Sequence, residues 1–274
     1  MVGIIYICTG KYTIFWKDFF ISMEKNFLPN WGKQYFVFTD SPGIYAEENL
    51  SVKRIYQKDL GWPGNTLFRF EIFTKVEEEL AQCEYIFFLN ANMLIVDVVN
   101  DEILPDHSND GLLAVLHPGF WNKANYEFTY ERNESSLAHI AMGRGKYYFM
   151  GGFNGGTKDA YLSLIKTLKN NIQKDFQKNI TALWHDESHL NQYLLDKNPK
   201  ILLPEYGYPE GWNLPFNPKI LIRDKTKYGG HDFLRNLTIT SNYSRIWKEL
   251  FNQVKRFLTH KNVKVTEEKI NFKK

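Results

Sequence analysis

Short apolar runs rich in β-branched and aromatic residues alternate with segments whose apolar positions recur at helical spacing. Gly3–Cys8, Gln34–Thr39 and Val52–Tyr56 read as strands, and Tyr85–Leu89 is a short continuous apolar run of the kind buried in a parallel sheet. Phe15, Phe19, Phe20, Met23 and Phe27 form one stripe, which predicts a helix over 15–27. Leu67, Phe70, Phe73, Val76 and Leu80 form another, which predicts a helix over 66–80 ending near the acidic run Glu77–Glu79. This alternation predicts a Rossmann-like α/β unit over roughly the first 100 residues.

Beyond it, Leu112–Leu116 and Tyr147–Phe153 read as strands, the second rich in glycine and aromatic residues. Helical patterns begin near Asp159 and again over Asp186–Leu195, where Leu190, Tyr193 and Leu194 supply the stripe. Pro204 to Pro218 holds four prolines and two glycines, which predicts a long loop. There is no internal repeat, and no linker-like stretch appears before about residue 237, so one domain over 1–240 is expected. Residues 243–258 are amphipathic, with Ile246, Trp247, Leu250, Phe251, Val254, Phe257 and Leu258 on one face and Lys248, Lys255 and Arg256 off it. Such a segment suits docking on the body or peripheral contact with an anionic membrane.

Charge sharpens that division. The chain of 274 residues carries a formal +3. Residues 241–274 hold nine Lys/Arg and three Asp/Glu, leaving 25 and 28 for the first 240, so a −3 body precedes a +6 tail. A body of that charge argues against nucleic acid as partner. Two cysteines, Cys8 and Cys83, make neither a disulfide framework nor a metal motif. With no basic n-region, no long apolar leader and no run of about 18 apolar residues, neither a signal peptide nor a membrane span is expected, and the cytoplasm is the expected compartment.

Three constellations carry candidate chemistry. Asn90-Ala91-Asn92 follows the run ending at Leu89, and ligands gather at the carboxyl ends of strands in open α/β sheets. Two aspartates there would hold a divalent cation; asparagines are neutral and hold hard cations poorly, and they also suit an ordinary turn. Trp184-His-Asp-Glu-Ser-His189 opens a predicted helix. Asp186 there is an ordinary helix-start acid and Glu187 a candidate nucleophile or acid/base, while the glutamate is misplaced for the zinc motif His-Glu-x-x-His. Gly151-Gly-Phe-Asn-Gly-Gly156 allows close backbone approach, useful where a planar or ring-shaped ligand lies against the chain.

These segments resemble glycosyltransferase family 6, the retaining α-1,3-galactosyl and N-acetylgalactosaminyl transferases that include the blood-group A and B enzymes. The matching stretches occur in order: Tyr35-Phe-Val-Phe-Thr-Asp40, His117-Pro-Gly-Phe120, Phe128-Thr-Tyr-Glu-Arg132, Gly151–Gly156, Trp184-His-Asp-Glu-Ser-His-Leu-Asn191 and Pro204-Glu-Tyr206. The resemblance implies a GT-A fold with a nucleotide-binding half over about 1–100 and an acceptor half over about 101–240. It also implies a UDP-sugar donor and transfer to O3 of an acceptor galactose, here a fucosylated galactoside. A chain starting at the first strand implies a bacterial-type member without the membrane anchor and stem of the vertebrate enzymes.

Residue by residue, the resemblance implies that Ile7, Cys8, Thr9 and Tyr12 cradle the uridine. Trp62, Thr66 and Arg69 match donor-side positions beside Asn90, Ala91 and Asn92. Met150, Gly151 and Gly152 fall where the family sets donor choice, and Gly152 resembles the N-acetylgalactosaminyl pattern; a UDP-galactose enzyme is the alternative. Asp186 would hold donor hydroxyls, Glu187 would be the catalytic glutamate, and His117, Thr129, Trp184 and Glu187 match acceptor positions. The family's Asp-x-Asp, which binds manganese, is here Asn90-Ala91-Asn92, so no metal cofactor is expected. The diphosphate then needs cations, for which Lys225, Lys227, Arg223 and Arg235 are candidates. Loss of the aspartates also leaves open a sugar-binding protein without transfer activity.

Overall fold

The computed structural model describes residues 1–236, which form one compact unit; the amphipathic reading of 243–258 lies outside the described residues. The elements run β1 (Val2–Ile7), α1 (Trp16–Asn26), β2 (Lys33–Thr39), β3 (Val52–Tyr56), α2 (Gly61–Leu67), α3 (Arg69–Phe73), α4 (Glu77–Leu80), β4 (Tyr85–Leu89) and β5 (Met93–Ile95). They continue with β6 (Leu112–Leu116), β7 (Phe149–Thr157), α5 (Lys158–Gln177), α6 (Asp186–Leu194), β8 (Lys200–Leu202), β9 (Tyr208–Pro209), β10 (Ile220–Ile222) and α7 (Gly230–Leu234). Seven strands build a mixed central sheet in the order β3-β2-β1-β4-β7-β6-β8. The first four are mutually parallel, as the Rossmann-like pattern predicts.

The inner strands β1 and β4 are buried on both faces, which is why their residues alternate little in polarity, whereas the edge strand β3 leaves Lys53 and Tyr56 exposed. Tyr6, Trp16, Phe19, Phe27, Tyr35, Phe87 and Phe153 are all essentially inaccessible and belong to one apolar core. Their rings meet tilted or edge-on, as in Phe27–Phe87 at 5.7 Å and 81°, the arrangement that ring quadrupoles favour.

β7 breaks the parallel pattern by inserting antiparallel between β4 and β6. Its glycines explain how it fits. A Cβ on Gly155 would lie 2.3 Å from Phe87 Cδ1 and 2.5 Å from the Ile86 carbonyl oxygen. On Gly156 it would lie 2.4 Å from the Gly111 carbonyl oxygen. The glycine-rich stretch is therefore the interior of a strand running to Thr157, beyond the Phe153 limit expected from sequence.

Two other expectations change. The single helix expected over 66–80 is broken into α2, α3, a 3₁₀ turn at Thr74–Val76, and α4, because Phe68 and Val76 leave helical dihedral angles. The predicted loop between Pro204 and Pro218 contains the 3₁₀ turn Pro204–Gly207 and the short strand β9. β9 joins β10 and β5 in a second, three-stranded sheet. That sheet carries the closing segment back to the end of β4. Arg223 N donates to Asn92 O at 2.8 Å, and Asn92 Nδ2 returns a bond to Arg223 O at 2.9 Å.

Candidate active site

The carboxyl ends of β1 and β4, the middle of β7, the start of α6 and the closing segment converge on a cavity of about 330 Å³. Ile7, Thr9 and Tyr12 line it from the end of β1, and Trp62, Thr66 and Arg69 from α2 and α3. Asn90, Ala91 and Asn92 contribute from β4, and Gly151 and Gly152 from β7. Trp184, His185, Asp186 and Glu187 come from the α6 start and Lys225 and Arg235 from the closing segment. Residues some 230 positions apart in the chain thus share one wall.

Arg69 organises the centre. Its Nε lies 3.1 Å from Asp186 Oδ2, with both side chains buried, and its Nη1 donates to the Gly151 carbonyl at 3.0 Å. The guanidinium sits 4.6 Å from the Phe88 ring centre. Glu187 is engaged at both oxygens: Tyr148 OH donates to Oε1 at 3.0 Å and Gly151 N to Oε2 at 2.7 Å. Burial pushes the Glu187 carboxyl above the usual range, and those two donors, with Arg69, pull it back. Burial pushes Asp186 up to about 7; Arg69 works against the rise and the neighbouring Glu187 charge with it. Asn191 holds this end of α6 onto β7, accepting from Phe149 N and donating to Phe149 O, each at 2.8 Å. His185, just before the carboxylates, has φ 55° and ψ −122°, a conformation rare outside glycine and of the kind that tends to collect at functional sites.

Part of the lining is cationic. Arg235 lies 4.5 Å from the Trp62 ring centre, and Lys225 lies 5.3 Å from the Tyr12 ring centre. Burial, with the charges of Arg235 and Arg69, lowers the Lys225 amine to about 8. Neither Lys225 nor Arg235 has a carboxylate within ion-pair distance among the described residues.

Several expected residues stand elsewhere. The Cys8 side chain is wholly buried in the core and does not line the cavity. Met150 is also buried off the cavity, its sulfur lying 2.4 Å from where a Gly207 Cβ would be. Lys227 turns away to pair with Glu210 at 2.7 Å, and Arg223 is a strut, bonded to Asp18 and the Phe15 carbonyl. His117 and Thr129 stand behind the cavity lining: the His117 ring packs edge-on to Tyr148 at 5.6 Å, and Thr129 Oγ1 donates to the Tyr148 hydroxyl at 3.4 Å and accepts from Trp184 Nε1 at 2.9 Å. Burial lowers the His117 imidazole to about 4, so it is neutral near pH 7. His185 and His189 diverge, one toward Trp62 and the other toward Asp175.

Asp59 and Asn65, absent from the sequence expectations, also line the cavity. Asp59 Oδ1 accepts from Asn65, Gly61 N and Thr9. Their signal was a Gly/Pro turn, Asp59-Leu-Gly-Trp-Pro-Gly-Asn65, carrying two polar residues with no surface role.

The sequence model of glycosyltransferase family 6 matches residues 1–236. The chain belongs to glycosyltransferase family 6. It is 36% identical over 227 residues to the O-antigen biosynthesis glycosyltransferase WbnI of Escherichia coli, covering 83% of this chain and 96% of that one. It is 33% identical over 222 residues to the histo-blood group ABO system transferase 2 of Rattus norvegicus, with coverages of 77% and 65%. Against the globoside alpha-1,3-N-acetylgalactosaminyltransferase 1 of Gallus gallus it is 31% identical over 244 residues, with coverages of 86% and 69%. The chain is therefore a glycosyltransferase with a GT-A-like fold, taking a nucleotide-sugar donor and a glycan acceptor. No helix among the described residues is long and apolar enough to cross a membrane.

The amide turn Asn90–Asn92 stands where the resemblance puts the family's manganese-binding aspartates. Asn92 Nδ2 donates to the Arg223 carbonyl at 2.9 Å, and the Asn90 Oδ1 lies 3.4 Å from Arg69 Nη1, so a guanidinium already stands at that oxygen. Among the described residues no group of three or more His, Cys, Asp or Glu converges to hold a metal.

Proposed function

We propose that the chain transfers N-acetylgalactosamine from UDP-GalNAc, with retention and in α-1,3 linkage, to a fucosylated galactoside, without a divalent metal. The carrying observation is the cationic lining: Lys225 and Arg235 line the same cavity as the amide turn Asn90–Asn92, which stands in place of metal-binding carboxylates. Crowded cations without carboxylate partners favour a polyanion, and a diphosphate at this wall raises the Lys225 amine again and keeps it charged. The departing UDP is then met by fixed donors.

The resemblance of Gly152 to the family's N-acetylgalactosaminyl pattern supports N-acetylgalactosamine as the donor sugar. A Cβ there would come within 2.8 Å of Asn90 Nδ2 and 2.9 Å of Met150 Cε, so glycine is what lets β7 pack this closely against the amide turn. Asp186, held by Arg69, offers an acceptor for sugar hydroxyls. Glu187 acts at the anomeric centre. By either route to retention, a covalent glycosyl ester or same-face attack, it must be a carboxylate when the C1–O bond to the diphosphate breaks.

The test is a transfer assay with UDP-GalNAc and UDP-galactose in parallel on a fucosyl-α-1,2-galactoside, with and without excess EDTA. The expected result is preference for UDP-GalNAc and full activity in EDTA. Abolition by EDTA with rescue by Mn²⁺ overturns metal independence, and preference for UDP-galactose overturns the donor assignment.

A further inference from the structure

We propose that Trp184, Thr129 and Tyr148 form a directed hydrogen-bond relay that orients the Glu187 carboxylate and ties it to the seat of the acceptor. The proposal rests on the reading of Glu187 as the carboxylate at the reacting sugar. Three contacts make the chain: Trp184 Nε1 to Thr129 Oγ1 at 2.9 Å, Thr129 Oγ1 to Tyr148 OH at 3.4 Å, and Tyr148 OH to Glu187 Oε1 at 3.0 Å.

The direction follows from the chemistry of the ends. An indole N–H only donates, an ionised carboxylate only accepts, and each hydroxyl between them has one proton. Every proton in the relay therefore points toward Glu187. Burial and the adjacent Glu187 charge hold the Tyr148 phenol protonated, so it serves as a donor throughout the working range. Its ring cannot swing away: it packs against Phe120 at 4.7 Å, Tyr130 at 5.3 Å and His117 at 5.6 Å.

The outer end is open. The Trp184 side chain is 47% exposed at the mouth of the cavity, where an indole face suits a sugar ring. A sugar seated on that face pins the indole, which fixes Thr129, which leaves the Tyr148 proton only Glu187 to serve. Without Thr129 the Tyr148 hydroxyl loses the partner that sets its rotation. Tyr148 is thus a positioning residue, acting through Glu187.

Other charges near Glu187 are Arg69 from α3 and Asp186 on its own helix, with His185 beside it, and Lys225 and Arg235 line the same cavity. None changes in Tyr148→Phe, which keeps the ring and removes only the hydroxyl. The experiment measures kcat against pH for the full chain, as wild type, Tyr148→Phe, Thr129→Val and Glu187→Gln. It uses UDP-GalNAc and UDP-galactose as donors and the fucosyl-α-1,2-galactose disaccharide as acceptor. Losing a donor to the carboxylate raises its pKa, so Tyr148→Phe should move the acid limb of kcat up by about one pH unit and lower kcat about tenfold. Donor KM should stay within about twofold, and Thr129→Val should shift the limb the same way by less. A fall in kcat with an unmoved limb, or no change in either, overturns the relay. Near-normal transfer by Glu187→Gln places the failure in the catalytic reading instead; an inactive Glu187→Gln with an unmoved Tyr148→Phe limb removes the relay alone.

Discussion

Asp186 and Glu187 are neighbours in sequence and line the same cavity, yet they meet different partners. Asp186 is buried against a guanidinium; Glu187 is buried against an amide and a phenol. Two adjacent carboxylates in different environments can divide two tasks. A pH prediction follows from Asp186 at about 7 and Lys225 at about 8 in the free enzyme. Below its pKa Asp186 is protonated and loses both its attraction to Arg69 and its capacity to hold two sugar hydroxyls. Above its pKa Lys225 is neutral and loses its attraction for the diphosphate. Donor kcat/KM should therefore be bell-shaped, falling about tenfold per pH unit outside the window between those two values. Measuring it from about pH 5 to 9, Lys225→Arg should extend the alkaline side, because a guanidinium does not lose its proton there. A flat profile, or an alkaline limb unmoved in Lys225→Arg, would falsify the assignment of these two groups.

Among the elements, β7 has the least freedom. Its glycines sit where the sheet changes from parallel to antiparallel, and the same strand supplies Gly151 and Gly152 to the cavity. Gly155→Ala places a methyl against the β4 backbone, and overpacking of that kind costs about 1–3 kcal/mol or somewhat more. For a body of this size that corresponds to a fall in Tm of about 2–12 °C. Gly32→Ala, where nothing lies within 4 Å of the added carbon, is the control and should leave Tm nearly unchanged. Comparable melting of the two variants by calorimetry or circular dichroism would show that β4 yields and that the packing argument is wrong. β7 is legible in the sequence from its aromatic residues only as far as Phe153, because glycines carry no apolar signal. α2, α3 and α4 read as one helix for the opposite reason: the apolar stripe continues through Phe70 and Phe73 although the backbone breaks at Phe68 and Val76. Likewise Cys8 and Met150 were expected in the site because of their position in motifs. Both side chains face the core, which only the strand's register reveals.

For the molecule as a whole, the order of motifs showed which segments meet, whereas charge alone could not show where cations were needed. Lys225 and Arg235 reach the cavity because β10 pairs with β5 and because Arg223 ties the closing segment to Asp18 and Phe15. Lys227, two residues from Lys225, points to Glu210 instead, a distinction no composition carries. The charge of the remaining chain is a separate matter. Residues 241–274 carry +6 against −3 for the first 240, and the basic positions Lys248, Lys255 and Arg256 fall off the apolar stripe of 243–258. If that stretch lies on anionic lipid, the attraction scales at about 1 kcal/mol per basic residue near the surface and is screened by salt. The full chain should then sediment with vesicles rich in phosphatidylserine or phosphatidylglycerol at low ionic strength and be released as salt rises. The triple variant Lys248→Glu, Lys255→Glu, Arg256→Glu should lose that retention while transferring sugar to a soluble acceptor at the wild-type rate. Equal retention of the two proteins would assign the basic positions no part in lipid contact, and reduced transfer by the variant in solution would place the segment against the body instead.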